Sequence, residues 1–122
     1  MLIQKKILIV DDNELLSGAI QSLLEDDGHS VICCHSGLDA IELSKKRNFD
    51  VILTDYRMPN MKGDLVCKLL RDHQPDVYII GCSSDNRDKE FLSAGADFFI
   101  RKDQLIQDLP LLMQSETTHR IE

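Results

Sequence analysis

The chain has 122 residues, about the length of one ordinary domain, and 43% of them are hydrophobic, which is enough for a single packed core. A net charge of −7 argues against direct binding to nucleic acid, because the nucleic-acid backbone is itself a polyanion. No apolar run reaches the roughly 20 residues of a membrane span, and MLIQKKILIV leads straight into a strand without the features of a secretory leader. We therefore expect a cytoplasmic protein that contacts neither nucleic acid nor membrane.

Five short apolar runs, separated by longer amphipathic stretches, predict five β-strands. The runs are nearly continuous and rich in β-branched residues, which is typical of strands covered on both faces of a sheet. In chain order they are KKILIV (5–10), HSVICC (29–34), DVILT (50–54), VYIIGC (77–82) and ADFFI (96–100).

Apolar residues at helical spacing predict a helix after each strand. The spaced positions are Leu15, Leu16, Ala19, Ile20, Leu23 and Leu24, then Leu38, Ile41 and Leu43, then Leu65, Val66, Leu69 and Leu70, then Phe91, Leu92 and Ala94. A fifth helical pattern covers residues 105–113 but contains Pro110. Because proline fits the first turn of a helix and disrupts its interior, we expect this helix to begin near Asp108, a good N-cap.

The alternation predicts an α/β fold, a doubly wound (βα)5 domain with a five-stranded parallel sheet and right-handed crossovers. We expect one domain over residues 1–122, with a core over about 4–116 and a frayed polar tail, SETTHRIE, at its end. The cysteines, which lack CxxC spacing, are expected to be reduced core thiols; they are Cys33, Cys34, Cys67 and Cys82.

Charged and hydroxyl side chains follow four of the five predicted strands. They are Asp11 and Asp12 after the first strand, Asp55 after the third, Ser83 and Ser84 after the fourth, and Lys102 after the fifth. Open α/β sheets bind ligands at the carboxyl ends of their strands, so these groups would meet if the first and third strands are neighbours. Taken singly, each has a structural reading: Asp12 or Asn13 as a helix cap, the serines as the start of the fourth helix, and Lys102 as a surface lysine.

A cluster of three carboxylates and one ammonium points to a particular chemistry. The carboxylates repel one another, so at least one pKa would rise, and a divalent cation would remove the repulsion. Oxygen ligands with few protein contacts suit Mg2+, which favours a phosphate partner. A lysine supplies a point charge for a phosphoryl oxygen, and a carboxylate beside the metal can attack phosphorus. The pattern therefore predicts Asp55 as a phosphoryl acceptor.

Four segments in the same order resemble the receiver (REC) domain of two-component response regulators. They are ILIVDDNE (7–14), VILTDYRMPNMKG (51–63), IIGCSS (79–84) and AGADFFIRK (94–102), and together they cover nearly the whole chain. The D-x-x-M-P-x-x-x-G pattern that begins at Asp55 is the most specific of these signals. The resemblance implies a CheY-like, flavodoxin-like sheet with strand order 2-1-3-4-5.

The resemblance also implies a role for each matching residue. Asp55 would be the phosphoacceptor and, with Lys102, the catalytic pair. The metal ligands would be Asp12 directly, Asp11 through water, Asp55 itself and the backbone carbonyl of Arg57, with Mg2+ as the cofactor and Mn2+ as a substitute. Lys102 would bind the phosphoryl group, while Ser83, Ser84 and Phe99 would form the switch that responds to it.

In this family's mode of action, Asp55 would receive a phosphoryl group from a histidine kinase or a histidine phosphotransfer protein. The change would alter the surface of the fourth helix, the fifth strand and the fifth helix. A downstream protein or a separate output domain would read that surface, and a homodimer through it is compatible with the family. The chain would then be no enzyme beyond Mg2+-dependent self-phosphorylation and self-dephosphorylation.

Three departures from the family pattern keep a second reading open. Asp103 follows Lys102 where a proline is usual, the stretch from Ser83 to Gly95 is short, and Phe99 replaces the commoner tyrosine. The missing proline and the short stretch favour a pseudo-receiver, a docking module that works without phosphorylation, whereas the intact set of Asp11, Asp12, Asp55, Ser83 and Lys102 argues against it. A haloacid-dehalogenase-type phosphatase is more remote, because it needs an Asp-x-Asp pair after the first strand. We also expect Arg57 and Asp85 to form an ion pair at the mouth of the site.

Overall fold

The computed structural model describes residues 4–114, so the tail predicted at 115–122 lies outside the described residues. Five strands alternate with five helices. The strands are β1 (Lys6–Val10), β2 (Ser30–Cys34), β3 (Val51–Asp55), β4 (Tyr78–Ser83) and β5 (Phe98–Arg101). The helices are α1 (Glu14–Asp26), α2 (Gly37–Lys46), α3 (Gly63–His73), α4 (Asp88–Ser93) and α5 (Leu105–Gln114), with a short 3-10 turn (Lys102–Gln104) before α5.

The five strands form one parallel sheet in the order β2-β1-β3-β4-β5. This confirms the predicted doubly wound (βα)5 architecture and its strand order. Since β1 and β3 are hydrogen-bonded neighbours, with Val10 opposite Thr54, the residues that follow β1 emerge beside the end of β3. The predicted meeting of charges therefore takes place at this edge of the sheet.

Two apolar layers cover the two faces of the sheet, because successive strand residues point to opposite faces. In β1, Ile7 and Ile9 face one layer, and Leu8 and Val10 face the other. The first layer is closed by buried residues of α1 and α5, namely Ile20, Leu24, Leu105, Leu109 and Met113. The second is closed by buried residues of α2, α3 and α4, namely Ala40, Ile41, Val66, Cys67, Leu70 and Phe91.

The predicted start of α5 is wrong. The helix begins at Leu105 instead of near Asp108, and Pro110 lies inside it. Leu105, Leu109 and Met113 recur every four residues and are all buried, so one apolar stripe runs the length of the helix. Pro110 cannot donate to the carbonyl of Ile106, but Ile106 is on the exposed side of the helix, where water can bond to that carbonyl. The packing of the stripe outweighs the missing hydrogen bond.

The helix starts settle two of the structural readings. Asn13 caps α1, accepting a hydrogen bond from the Leu16 N–H at 3.2 Å, so Asp12 is not the cap. The serines do not start the fourth helix, because α4 begins at Asp88. With only six residues, α4 is short, as the reduced length of this stretch predicts.

A close approach between a strand and a helix fixes the position of α4. Phe91 is fully buried, and its ring lies where a side chain on Gly81 of β4 would otherwise stand. The Phe91 ring lies 5.9 Å from that of Tyr56 and 6.0 Å from that of Phe99, measured between centroids. An aromatic row therefore connects the residue after Asp55 with strand β5.

A charged side chain, that of Arg71, connects segments at the amino-terminal ends of β4 and β5. The Arg71 guanidinium donates to Asp97 Oδ2 at 2.9 Å and to the backbone carbonyls of Gly95 and Val77. Asp97 Oδ2 also accepts from the Ile79 N–H at 2.9 Å. We call these residues the Arg71 cluster; they join α3, β4 and the turn before β5.

Residues 4–114 contain no helix long and apolar enough to cross a membrane. All four cysteines are free, and three of them are buried, which agrees with their prediction as reduced core thiols.

Candidate functional site

The carboxylate of Asp55 lies at the carboxyl end of β3, in the middle of the sheet. Asp11 directly follows β1, and its N–H bonds to the carbonyl of Cys34 at 3.1 Å, which continues the ladder of β1 and β2 by one residue. Asp11 and Asp55 are each only 3% exposed, whereas Asp12 is exposed. Carboxylate oxygens of these three residues lie within 4.8 Å of one another. We call Asp11, Asp12 and Asp55 the acidic cluster.

Lys102 is the cation of the acidic cluster. Its Nζ lies 3.1 Å from Asp55 Oδ1 and 3.4 Å from Asp11 Oδ2. Lys102 is the first residue of the 3-10 turn after β5. Its side chain therefore extends from the outer strand β5 towards Asp55 at the end of β3. The surface reading of Lys102 is wrong, because its side chain is mostly buried against these two carboxylates.

The charges of the cluster are unbalanced, and this shows in the pKa values. Burial, reinforced by the nearby charge of Asp11, raises the pKa of Asp55 to about 6, although Lys102 acts in the opposite direction. Burial disfavours the charged form of Lys102, but Asp55 and Asp11 outweigh burial and raise the Lys102 pKa. One ammonium therefore does not neutralise the carboxylates that surround it.

The donor set fits a hard divalent cation. The acidic cluster offers oxygen atoms only, from three side chains, and leaves room for water and phosphate oxygens in a Mg2+ coordination sphere. A cation there would also offset the burial and the repulsion from Asp11 that together raise the pKa of Asp55. Asp11 is oriented for this by the Asn13 N–H, which donates to its Oδ1 at 2.9 Å.

The loop after Asp55 folds back over the end of β3. The Gly63 N–H donates to the carbonyl of Tyr56 at 2.8 Å, and a side chain at Gly63 would overlap the Asp55 carbonyl. Asn60 adopts a positive φ of 71° between them, a conformation that asparagine tolerates better than most residues. Asn60 and Gly63 thus shape the backbone around Asp55.

Ser83 ends β4 beside Asp55 and is buried. Its hydroxyl donates to Asp85 Oδ1 at 2.6 Å. The other carboxylate oxygen of Asp85 lies 2.8 Å from Arg57 Nη2. This confirms the predicted ion pair between Arg57 and Asp85 and adds Ser83 to it.

The sequence pattern of the Response regulator receiver domain family matches residues 7–114. The chain belongs to this family. The DivK polar-differentiation response regulator of Brucella ovis is 30% identical in an alignment of 103 residues that covers 80% of this chain and 84% of DivK.

Two solved receiver-type structures resemble this one closely. A response regulator from Burkholderia pseudomallei, described with a phosphorylated aspartic acid, calcium ion and citrate, has a TM-score of 0.83 at 25% identity, covering 94% of this chain and 69% of that one. The receiver domain of the sensor histidine kinase PA1611 from Pseudomonas aeruginosa, with magnesium in its active site cleft, has a TM-score of 0.80 at 26% identity, covering 92% and 96%.

The predicted roles of three other site residues, Ser84, Phe99 and Arg57, are not tested by their contacts. Ser84 is exposed, and Phe99 is half-buried and packs against Phe91. The contacts of Arg57 are those of its guanidinium, so the metal-binding role of its carbonyl stays a prediction. The switch roles of Ser84 and Phe99 also stay predictions.

Two residues of this edge were not singled out from the sequence. Arg87 Nε donates to Asp85 Oδ2 at 3.1 Å, and its guanidinium lies 4.6 Å from the Tyr56 ring centroid. His35 Nδ1 lies 2.9 Å from the carbonyl oxygen of Asp11. His35 follows β2, so the rule that strand ends meet would have found it; Arg87 has no comparable signal, because its position depends on how the loop before α4 folds.

Proposed function

We propose that this receiver domain accepts a phosphoryl group on Asp55, with Mg2+ bound by the acidic cluster, and switches the surface formed by α4, β5 and α5. The observation that carries the proposal is the contact of 3.1 Å between Lys102 Nζ and Asp55 Oδ1, with Asp11 and Asp12 alongside. The phosphorylated aspartate and the bound magnesium described for the two related structures support it.

The transfer itself needs little from the protein beyond position and charge. A carboxylate oxygen of Asp55 attacks the phosphorus of a phosphohistidine; the new P–O bond forms, the P–N bond breaks, and the histidine nitrogen keeps the electron pair and gains a proton from solvent. The Asp55 pKa of about 6 describes the site without metal. A bound cation would favour the ionised form further, so Asp55 would be available at neutral pH as the attacking carboxylate.

Asp12, Asp11 and Asp55 would hold the Mg2+, with the Arg57 carbonyl as a further ligand and Mn2+ as a substitute. When bound, the ion neutralises charge that develops on the phosphoryl oxygens. Lys102 contributes a second positive charge, because its Nζ lies 3.1 Å from Asp55 Oδ1. The chain thereby catalyses only its own phosphorylation and dephosphorylation and has no further enzymatic activity.

The proposed donor is a histidine kinase or a histidine phosphotransfer protein. The proposed reader is a downstream protein or an output domain that contacts α4, β5 and α5, where Leu92, Phe98 and Ile106 are exposed; a homodimer through this surface belongs to the same proposal. The four free thiols support a cytoplasmic location.

The test is the intact mass of the protein after incubation with Mg2+ and acetyl phosphate. Wild type should gain one phosphoryl group, and Asp55→Asn should gain none. Asp72→Asn, which removes one exposed carboxylate from α3, is the charge-matched control and should behave as wild type. A hydroxylamine-sensitive phosphoryl group on Asp55→Asn would disprove the assignment of the acceptor.

The alternative function is a docking module that works without phosphorylation. The six-residue α4 and Asp103 in the place of proline favour it, because both change the region that the switch would have to move. Such a module would bind its partner equally well as wild type and as Asp55→Asn, and would gain no mass from acetyl phosphate or from a kinase.

A further inference from the structure

The hydroxyl of Ser83 is held by a partner that is not part of the acidic cluster. Ser83 is 1% exposed, and its Oγ lies 2.6 Å from Asp85 Oδ1. A hydroxyl has one proton to donate, and a hydrogen bond of this length to a carboxylate is of the strong, charge-assisted kind. Ser83 therefore cannot donate to a phosphoryl group on Asp55 while it donates to Asp85.

Asp85 is itself fixed by two cations from two different loops. Its Oδ2 lies 2.8 Å from Arg57 Nη2 and 3.1 Å from Arg87 Nη2. Arg57 follows β3, whereas Arg87 directly precedes α4 and forms a second ion pair with Glu90 of that helix, at 2.8 Å. The carboxylate therefore ties the Ser83 hydroxyl to the loop after Asp55 and to the start of α4.

The ring of Tyr56 forms the floor of this arrangement. The guanidinium carbons of Arg57 and Arg87 lie 5.9 and 4.6 Å from its centroid, within the range of a cation–π attraction. The hydrogen bond from Ser83, followed by that from Arg57, keeps the pKa of Asp85 well below its usual range. An aspartate is ionised at neutral pH even at its ordinary pKa, and the 2.6 Å hydrogen bond makes Asp85 a strong acceptor for Ser83.

We propose that Asp85 is a positioning residue that competes with the phosphoryl group for the Ser83 hydroxyl and so sets how readily the receiver switches. This inference rests on the proposed function of Asp55. When Ser83 leaves Asp85, the carboxylate loses its contact with β4 and keeps its ion pairs with Arg57 and Arg87. Arg87 connects this change to α4 through its ion pair with Glu90. Asp85 therefore links the chemistry at β3 to the helix before β5.

The experiment is a titration with beryllofluoride and Mg2+, a stable stand-in for a phosphoryl group on Asp55, followed by amide NMR. Loss of one charge-assisted competitor should tighten the apparent affinity of Asp85→Ala about tenfold. Asp85→Asn, which keeps a neutral acceptor for Ser83, should fall between wild type and Asp85→Ala. Asp72→Ala removes an exposed carboxylate of α3, outside the site and outside the surface of α4, β5 and α5, and should match wild type.

The Ser83→Ala background separates competition from a simple charge effect. There, adding Asp85→Ala should change the affinity little, because no hydroxyl remains to be released. An equal gain with and without Ser83 would show that Asp85 acts only by repelling the anion and would overturn the proposal. Unchanged affinity of Asp85→Ala in the presence of Ser83 would overturn it as well.

A readout without any phosphoryl analogue keeps the two proposals apart. The three-bond couplings between Hα and Hβ of Ser83 should indicate one rotamer in wild type and rotamer averaging in Asp85→Ala. Wild type that binds no beryllofluoride would contradict the proposed function, and with it the role of Asp85 in switching. Wild type that binds it, but shows the same averaged couplings as Asp85→Ala, would contradict the Asp85 proposal alone.

Discussion

The Arg71 cluster and the acidic cluster contain the same kinds of charged group at opposite ends of one sheet. In the Arg71 cluster, one guanidinium faces one carboxylate, and its remaining donors reach backbone carbonyls such as that of Gly95. The acidic cluster has three carboxylates and a single ammonium, which contacts two of them, Asp11 and Asp55. In the first arrangement the positive and negative charges balance, whereas in the second the carboxylates outnumber the cation.

This difference separates a structural ion pair from a reactive site. A buried pair whose hydrogen bonds are satisfied resists any change in its partners, because removing one leaves an unpaired charge. A site with surplus carboxylates is less stable by itself and binds what it lacks, a cation and a phosphoryl group. Removing a charged group from either cluster tests this difference.

The largest expected effect on stability comes from the Arg71 cluster. Arg71→Ala should lower the free energy of unfolding by about 3 kcal/mol, because it strands the largely buried carboxylate of Asp97. Arg47→Ala, which removes an exposed guanidinium, should change it by less than about 0.5 kcal/mol. Urea unfolding gives both values; equal stabilities for the two variants would show that the Arg71 cluster contributes nothing special.

At the acidic cluster, Lys102→Ala should lower the rate of phosphorylation more than it lowers the stability of the fold. The variant loses the cation that contacts Asp55 and should be phosphorylated about a hundredfold more slowly than wild type. It should also lose most of the spectral change that follows phosphorylation. The rate of mass gain with acetyl phosphate measures the first effect, and wild-type kinetics would return Lys102 to the role of a surface lysine.

A pH dependence should distinguish the two ends when no metal is present. In the folded protein the pKa of Asp55 is raised to about 6 from an ordinary value of 3.8, so between these values the folded state binds more protons than the unfolded state. Stability should therefore fall as the pH rises from about 4 to about 6. Asp55→Asn should remove much of this slope, and Asp72→Asn should retain it; urea unfolding in EDTA across this range is the measurement.

The smallest effect concerns the ion pair at the mouth of the site. We expect Arg57 and Asp85 to restrict water near an acyl phosphate on Asp55, so Arg57→Ala should lose its phosphoryl group faster. Since both side chains are about half exposed, the acceleration should stay below about fivefold. Release of phosphate after removal of the donor gives the rate, and equal rates would exclude this role for Arg57.

The sequence was sufficient to predict the sheet and the acidic cluster, because both follow from short-range patterns. Apolar runs locate the strands, and Asp11, Asp55 and Lys102 each lie at or next to a strand end, so strand order alone brings them together. The resemblance to the receiver family supplied that order and the roles, which the pattern alone left open.

What the sequence did not predict depends on packing between distant segments. Pro110 argued for a late start of α5, but a buried stripe from Leu105 to Met113 outweighed it. Arg87 became part of the site only because the loop before α4 turns its guanidinium onto Asp85 and Tyr56. Residues 105–113 do show a local helical pattern, but whether it prevails over Pro110 depends, like the position of Arg87, on what the rest of the fold places nearby.

The side-chain sizes at positions 81 and 91 depend on each other. Because the Phe91 ring fills the space that a side chain on Gly81 would need, neither position can change size alone without a clash or a void. Homologues with a larger residue at the position of Gly81 should therefore have a smaller one at that of Phe91. Such paired changes in side-chain size would keep the total volume constant and preserve the packing of α4 against β4.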